Sequence, residues 1–162
     1  MTKMKKYSGK GTIKDDNGDV YEGDFRDSEP HGKGKITYID DGRVCEGIWE
    51  DGKLQKGTCK WKNGSTVYEG DLVEGKPHGK GKMIYSNGNV YEGEWRKGMR
   101  HGKGTNKDYD GEVYEGDWQT DMADGKGTYK WPDGAVYEGE FKDGMRHKGT
   151  CKSSMGEGRT FW

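Results

Sequence analysis

Glycine and lysine recur together in this chain. Gly-Lys-Gly stands at Gly32–Gly34, Gly79–Gly81, Gly102–Gly104 and Gly125–Gly127. Such a triplet can cradle a phosphate, but a phosphate loop needs Gly-x4-Gly-Lys-Ser/Thr between a strand and a helix. Here the triplet repeats inside extended segments with no helical pattern after it, so its glycines read as structural. Glutamates recur as well, at Glu22, Glu46, Glu69, Glu92, Glu115 and Glu138. Two carboxylates about 5–9 Å apart can hydrolyse a glycosidic bond. A ladder of glutamates offers that spacing everywhere and singles out no pair, so no catalytic residue is expected.

Metal chemistry is the next candidate. His31, His78, His101 and His147 each stand eleven residues into a repeated segment. Neighbouring copies would lie roughly 10 Å apart by strand spacing, whereas zinc takes four donors at about 2 Å. They read as turn residues, and neither metal nor cofactor is expected. The three cysteines are odd in number and widely spaced, which points to reduced thiols and a cytoplasmic protein rather than a disulfide framework. Cys59 and Cys151 occupy equivalent slots four segments apart, too far to pair.

The elements that must position these residues are periodic. Tyr-Glu-Gly begins at Tyr21, Tyr68, Tyr91, Tyr114 and Tyr137, and Cys45-Glu46-Gly47 fills the remaining slot. With the first residue of each triplet as position one, position five is Phe25, Trp49, Leu72, Trp95, Trp118 and Phe141. A constant period of this length marks a stacked repeat architecture. Inside a unit the period is two, so Tyr and Trp share one face and the acids at positions two and four the other. Val44, Val67, Val90, Val113 and Val136 precede position one and should line the acidic face.

Asx-Gly pairs at the unit boundaries (Asn17-Gly18, Asn87-Gly88, Asp133-Gly134) predict type I′ hairpin turns. A second turn inside each unit carries Gly52, Gly75, Gly98 or Gly144 at position eight. Ser28 and Asp121 replace that glycine in units one and five, so another geometry is expected there. The predicted fold is all-β: a single-layer antiparallel meander of stacked hairpins forming an elongated, curved rod. It comprises a basic tail at residues 1–6 and one array over 7–162. A half unit at 7–20 precedes units starting at 21, 45, 68, 91, 114 and 137, and 153–162 form an irregular end.

Composition agrees. Leu, Ile, Val and Phe supply only 17 of 162 residues, while 10 tyrosines and 6 tryptophans must provide most of the burial. Glycines at positions three and fourteen leave floor for those rings. The Gly-Lys-Gly lysines (Lys33, Lys80, Lys103, Lys126) are the expected cross-strand partners of the acids, which fits a net charge of -1. That charge excludes a general nucleic-acid binder. No apolar run approaches a membrane span, and no apolar stretch follows the basic start as a secretory signal requires.

The segment from Tyr91 to Gly104, Tyr-Glu-Gly-Glu-Trp-Arg-Lys-Gly-Met-Arg-His-Gly-Lys-Gly, closely resembles the MORN repeat. The resemblance covers residues 7 to about 155. It implies a stacked hairpin rod acting as a protein-binding or scaffolding module, often near membranes or the cytoskeleton. It also implies a role as an accessory segment beside catalytic domains such as phosphatidylinositol phosphate kinases.

Two surfaces follow as expectations. The aromatic face, with Tyr68, Tyr91, Trp95, Tyr114, Trp118 and Tyr137 as anchors, should accept a partner peptide or helix, unless those rings are consumed by the core. A basic turn ridge of Arg96, Lys97, Arg100, Lys142, Arg146 and Lys148 is the alternative, a site for acidic phospholipid headgroups. Self-association through open array ends is a third.

Overall fold

The computed structural model describes residues 6–62, 64, 66–154 and 158–161. Residues 1–5 of the basic tail and Trp162 lie outside the described residues. The chain folds into one antiparallel sheet whose fourteen described strands follow sequence order without a crossover. They are β1 Gly9–Lys14, β2 Val20–Arg26, β3 Glu29–Thr37, β4 Val44–Glu50, β5 Lys53–Lys60, β6 Val67–Val73 and β7 Lys76–Ile84. There follow β8 Val90–Arg96, β9 Met99–Lys107, β10 Val113–Gln119, β11 Met122–Lys130, β12 Val136–Lys142, β13 Met145–Lys152 and β14 Gly158–Phe161. The segment expected to be irregular thus contains a further strand, with Thr160 opposite Thr150.

The turns exchange the roles that the sequence assigned them. Inside the units, positions seven and eight both have positive φ: Asp51 and Gly52 at 47° and 75°, Lys97 and Gly98 at 53° and 85°. Two successive left-handed residues define the type I′ turn, so it is the in-unit turn that adopts it. Asp27-Ser28 (54°, 73°) and Thr120-Asp121 (50°, 67°) keep the same geometry without glycine, contrary to expectation. At the boundaries only the glycine is left-handed, as with Gly88 at 89°. Gly88 N–H donates to Tyr85 C=O and Tyr85 N–H to Asn89 C=O. That is a type I turn closed by a bulged glycine, the usual three-residue hairpin.

Each long strand also carries a bulge. Gly23 pairs with Gly34, but Phe25 pairs with Pro30, so residues 31–33 face Asp24 alone. The Asp24 carboxylate accepts the Lys33 N–H at 3.2 Å, and Asp71 and Asp117 do the same for Lys80 and Lys126. In units two and six Gly-Lys-Gly is one residue shorter, and the bulge shrinks: Trp49 pairs with Leu54 while Ile48 pairs with Lys56. Bulges bend a strand and increase its twist. Successive hairpin tips bond to one another, with Gly98 N–H donating to Pro77 C=O and Gly144 N–H to Ala123 C=O.

The core is a line of side chains on one face. Tyr21, Tyr68, Tyr91, Tyr114 and Tyr137 are buried with Trp49, Trp95, Trp118, Phe141, Leu54 and Leu72. Glycines pair in register across the sheet, Gly81 with Gly93 and Gly104 with Gly116, and make the floor on which the rings lie. The valines line the opposite face as expected, interleaved with Lys60, Lys107 and Lys130.

The cysteine expectation is overturned. Cys45 stands directly opposite Cys59 in β4–β5, with Cα atoms 4.0 Å apart, and the two form a disulfide. Cys151 is free. In this unit, which lacks the Tyr ring, Leu54 lies over Gly47 in its place.

Candidate functional site

The aromatic ladder shows what the repeated residues are for. Each position-one Tyr donates its hydroxyl to the position-four carbonyl of its own unit: Tyr68 to Asp71, Tyr91 to Glu94, Tyr114 to Asp117, at 2.6, 2.9 and 2.8 Å. Each position-five Trp donates its indole N–H to a glycine carbonyl of the preceding unit, Trp95 to Gly81 and Trp118 to Gly104, both at 3.0 Å. The rings meet edge to face in one unbroken zipper from Tyr68 through Trp95, Tyr91, Trp118, Tyr114 and Phe141 to Tyr137, with centroids 4.7–5.6 Å apart. Aromatic pairs prefer this arrangement because the positive ring edge meets the negative face. Burial pushes the tyrosine hydroxyls up, Tyr114 to about 12 and Tyr68 and Tyr91 further, with nearby carboxylates adding to the shift at Asp71 and Asp117. The hydroxyls therefore stay protonated donors.

All six expected anchors belong to this zipper. Tyr68 and Tyr91 are 0% exposed, Tyr137 1%, Trp95 4%, Tyr114 5% and Trp118 7%. Their rings are occupied in the core, because each lies on the glycine floor or on a glycine carbonyl and is covered by the rings of its neighbours. The aromatic surface that remains lies one step outward, at position eighteen, or seventeen in the shortened unit two: Tyr38, Trp61, Tyr85 and Trp131, each half-buried against the core. Asp108 takes the corresponding place in unit four. The sequence reading passed over this row, although Tyr38, Trp61, Tyr85 and Trp131 recur with the same period.

Arginines stack on the strip. The Arg43 guanidinium lies 4.3 Å from the Tyr38 ring centre and donates to Gly75 C=O at 3.0 Å. Arg146 lies 4.9 Å from that of Trp131. Arg100 lies 4.2 Å from Trp118 and is held by Asp121, through Nη2 to its carbonyl and Nε to its carboxylate. The expected basic ridge is therefore divided. Arg100 and Arg146 project onto the aromatic side, because position ten stands opposite Trp95 and Phe141 in the ladder. Arg96, Lys97, Lys142 and Lys148 are exposed, and Lys148 stands opposite Glu140 on the acidic face.

That other face is a charge ladder. Lys103 pairs with Asp117 at 2.6 Å, as expected for a Gly-Lys-Gly lysine, while Lys35–Glu22 and Lys82–Glu92 use the lysine two residues further on. Glycines, threonines and these charges line a shallow hollow that runs from Lys10 to Glu140. The histidines stand near the tips, where His78 Nδ1 accepts the Lys97 N–H at 3.4 Å. Beside Trp131, Asp108, Asp110 and Glu112 bring their carboxylates within 4.8 Å of one another. Asp108 accepts an N–H from Asn106, and Glu112 accepts the Tyr129 hydroxyl. No ion-binding role is assigned to this group.

Together these features define an array of stacked β-hairpins, built for length rather than around one cavity. Comparison with known proteins makes the assignment specific. The MORN repeat family model matches residues 21–43, 45–66, 68–90, 91–113, 114–136 and 137–157, and the chain belongs to that family. No curated protein sequence matches it. Among solved structures, it is similar to the TCP domain of Drosophila melanogaster SAS-4 (dCPAP) in complex with a proline-rich motif of Ana2 (dSTIL). The TM-score is 0.54 at 9% identity, over 94% of this chain and 89% of that one. A streptogramin B lyase structure aligns with 93% of this chain and 53% of that one at 16% identity, and its TM-score of 0.21 carries no argument.

Proposed function

We propose that the array is a non-catalytic protein-binding scaffold whose contact surface is the outer aromatic strip. One observation carries this reading: Tyr38, Trp61, Tyr85 and Trp131 keep part of their surface exposed in a line along the rod, and three of them lie under the guanidinium groups of Arg43 and Arg146. Tyr, Trp and Arg are the side chains that anchor protein contacts, because they bury large rigid areas and keep a polar edge. The rings already packed against the core supply a firm bed that a partner does not have to order. The complex formed by the SAS-4 TCP domain supports the reading, since an array of related shape there holds a peptide motif. Phospholipid contact through the basic ridge is the weaker reading, because Arg100 and Arg146 leave it for the aromatic side, where they stack on Trp118 and Trp131, and only Arg96, Lys97, Lys142 and Lys148 remain.

The test is a selection from a random peptide library on immobilised protein, repeated with Trp61→Ala and Trp131→Ala after circular dichroism shows them folded. Peptides that bind the wild type and lose at least tenfold on either variant are expected. Selected peptides that bind all three proteins equally would overturn the assignment of this surface.

A further inference from the structure

We infer that the strip takes a proline-rich segment in the polyproline II conformation, in the pattern Pro-x-x-Arg/Lys-x-x-Pro, laid across Tyr85, Asp108 and Trp131. The inference rests on the scaffold reading above and names the partner for that surface. Its first support is a match of lengths. Position eighteen occurs once per hairpin, and a hairpin advances the sheet by two strands of about 4.8 Å, or about 9.6 Å. A polyproline II helix has three residues per turn and rises about 3.1 Å per residue, so one face presents every third residue each 9.3 Å or so. The mismatch is about 0.3 Å per unit. A β-strand alternates its faces every residue and cannot keep every third side chain on one side. An α-helix rises about 1.5 Å per residue, and its seven-residue repeat advances about 10.5 Å, which drifts out of step three times faster.

The second support is chemical. Grooves that receive proline-rich segments are lined by aromatic rings, and the strip reads ring, ring, ring, acid, ring at Tyr38, Trp61, Tyr85, Asp108 and Trp131. The acid is not isolated: Asp110 and Glu112 bring their carboxylates within 4.8 Å of it. Asp108 and Glu112 are held facing one another by hydrogen bonds from Asn106 and Tyr129. A basic side chain three residues from a proline on Trp131 therefore meets three carboxylates. Beyond Trp131 the hollow lined by Tyr129, Phe141, Met145 and Arg146 leaves room for the proline ring. The pattern reads the same in both directions, so either chain orientation satisfies it. Sheet twist turns the strip gradually about the rod, which limits the match to these three neighbouring units.

The experiment is fluorescence anisotropy with a labelled peptide containing Pro-Ala-Pro-Arg-Ala-Pro-Pro, in which the outer prolines are three residues either side of the Arg. Its controls are the same peptide with Gly in place of Pro, and with Glu in place of Arg. Saturable binding is expected, weakened at least tenfold by the glycine peptide, by the Glu peptide and by Trp131→Ala. Glu112→Lys should weaken the Arg peptide and strengthen the Glu peptide, a reversal that no folding defect produces. Equal affinity for the proline and glycine peptides overturns the inference. If library selection yields strip-dependent peptides without this spacing, the inference falls while the scaffold reading stands; if no peptide depends on the strip, both fall.

Discussion

Replacing Gly104 by Ala tests the physical basis of the whole rod. A Cβ on Gly104 would lie 2.2 Å from Tyr91 Oη, 2.5 Å from Cζ and 2.6 Å from Cε2. Ordinary carbon contacts are about 3.5 Å or longer, so the ring must retreat by roughly 1 Å or more. Tyr91 has no free space to enter: it is 0% exposed and wedged between Trp95 and Trp118, with ring centres 4.9 and 5.2 Å away. Overpacking costs about 1–3 kcal/mol. Losing the bond to Glu94 C=O adds about 1 kcal/mol, and spoiling two edge-to-face contacts adds about 0.5 kcal/mol each. The expected loss is about 3–5 kcal/mol.

Gly52→Ala is the contrasting case, with a φ of +75° and no atom within 4 Å. It pays only backbone strain, about 1 kcal/mol. Urea titrations followed by circular dichroism give both values. Gly104→Ala should also cost markedly less in a Tyr91→Leu background, because the shorter side chain vacates the clash. Equal losses for Gly104→Ala and Gly52→Ala, or no coupling to Tyr91, would refute the account of the glycine floor.

Reducing the Cys45–Cys59 bond, which closes a 14-residue separation, should lower stability by about 3 kcal/mol on a loop-entropy estimate. Thermal melts with and without dithiothreitol measure it, and Cys45→Ser should melt alike in both. At alkaline pH, Tyr114 is held protonated up to about 12 by burial, against about 10 in an unfolded chain. A raised folded value means its contribution is complete below pH 10 or so and is lost as pH climbs towards 12. Tyr114→Phe should flatten the decline in melting temperature between those limits. At the acid end, burial works against Asp117, but hydrogen bonds from the Lys103 side chain and the Lys126 N–H outweigh it and hold the carboxyl below the usual range. That stability is present above about pH 4 and lost as pH falls through the lowered value. Lys103 is 69% exposed, so Lys103→Glu should cost no more than about 1 kcal/mol and less in high salt. A larger, salt-independent loss would contradict a surface pairing.

The hairpin count, the strand order and the division into an aromatic and an acidic face were legible in the residues. A period of 23 with alternation inside it leaves one register in which every Tyr, Gly and Trp keeps its face. The buried ladder was legible in part, since the glycines at positions three and fourteen pointed to rings lying on them. The disulfide had a signal that went unread. Tyr21 stands opposite Ile36, and the one-residue deletion at Lys56-Gly57 brings Cys59 into that slot opposite Cys45.

Turn geometry was not legible, because Asx-Gly suits both a type I′ turn and a bulged type I turn, and only strand pairing separates them. Nor was the choice between core and contact surface for Tyr68 or Trp95. Residue type shows that a ring needs cover, whereas the stacking of one unit on the next, which sets Trp95 against both Tyr68 and Tyr91, settles what covers it. The rings left over at position eighteen emerged only when the first row was filled. Local pattern assigns a side chain to a face, and long-range packing decides whether that face is spent on the fold or left for a partner.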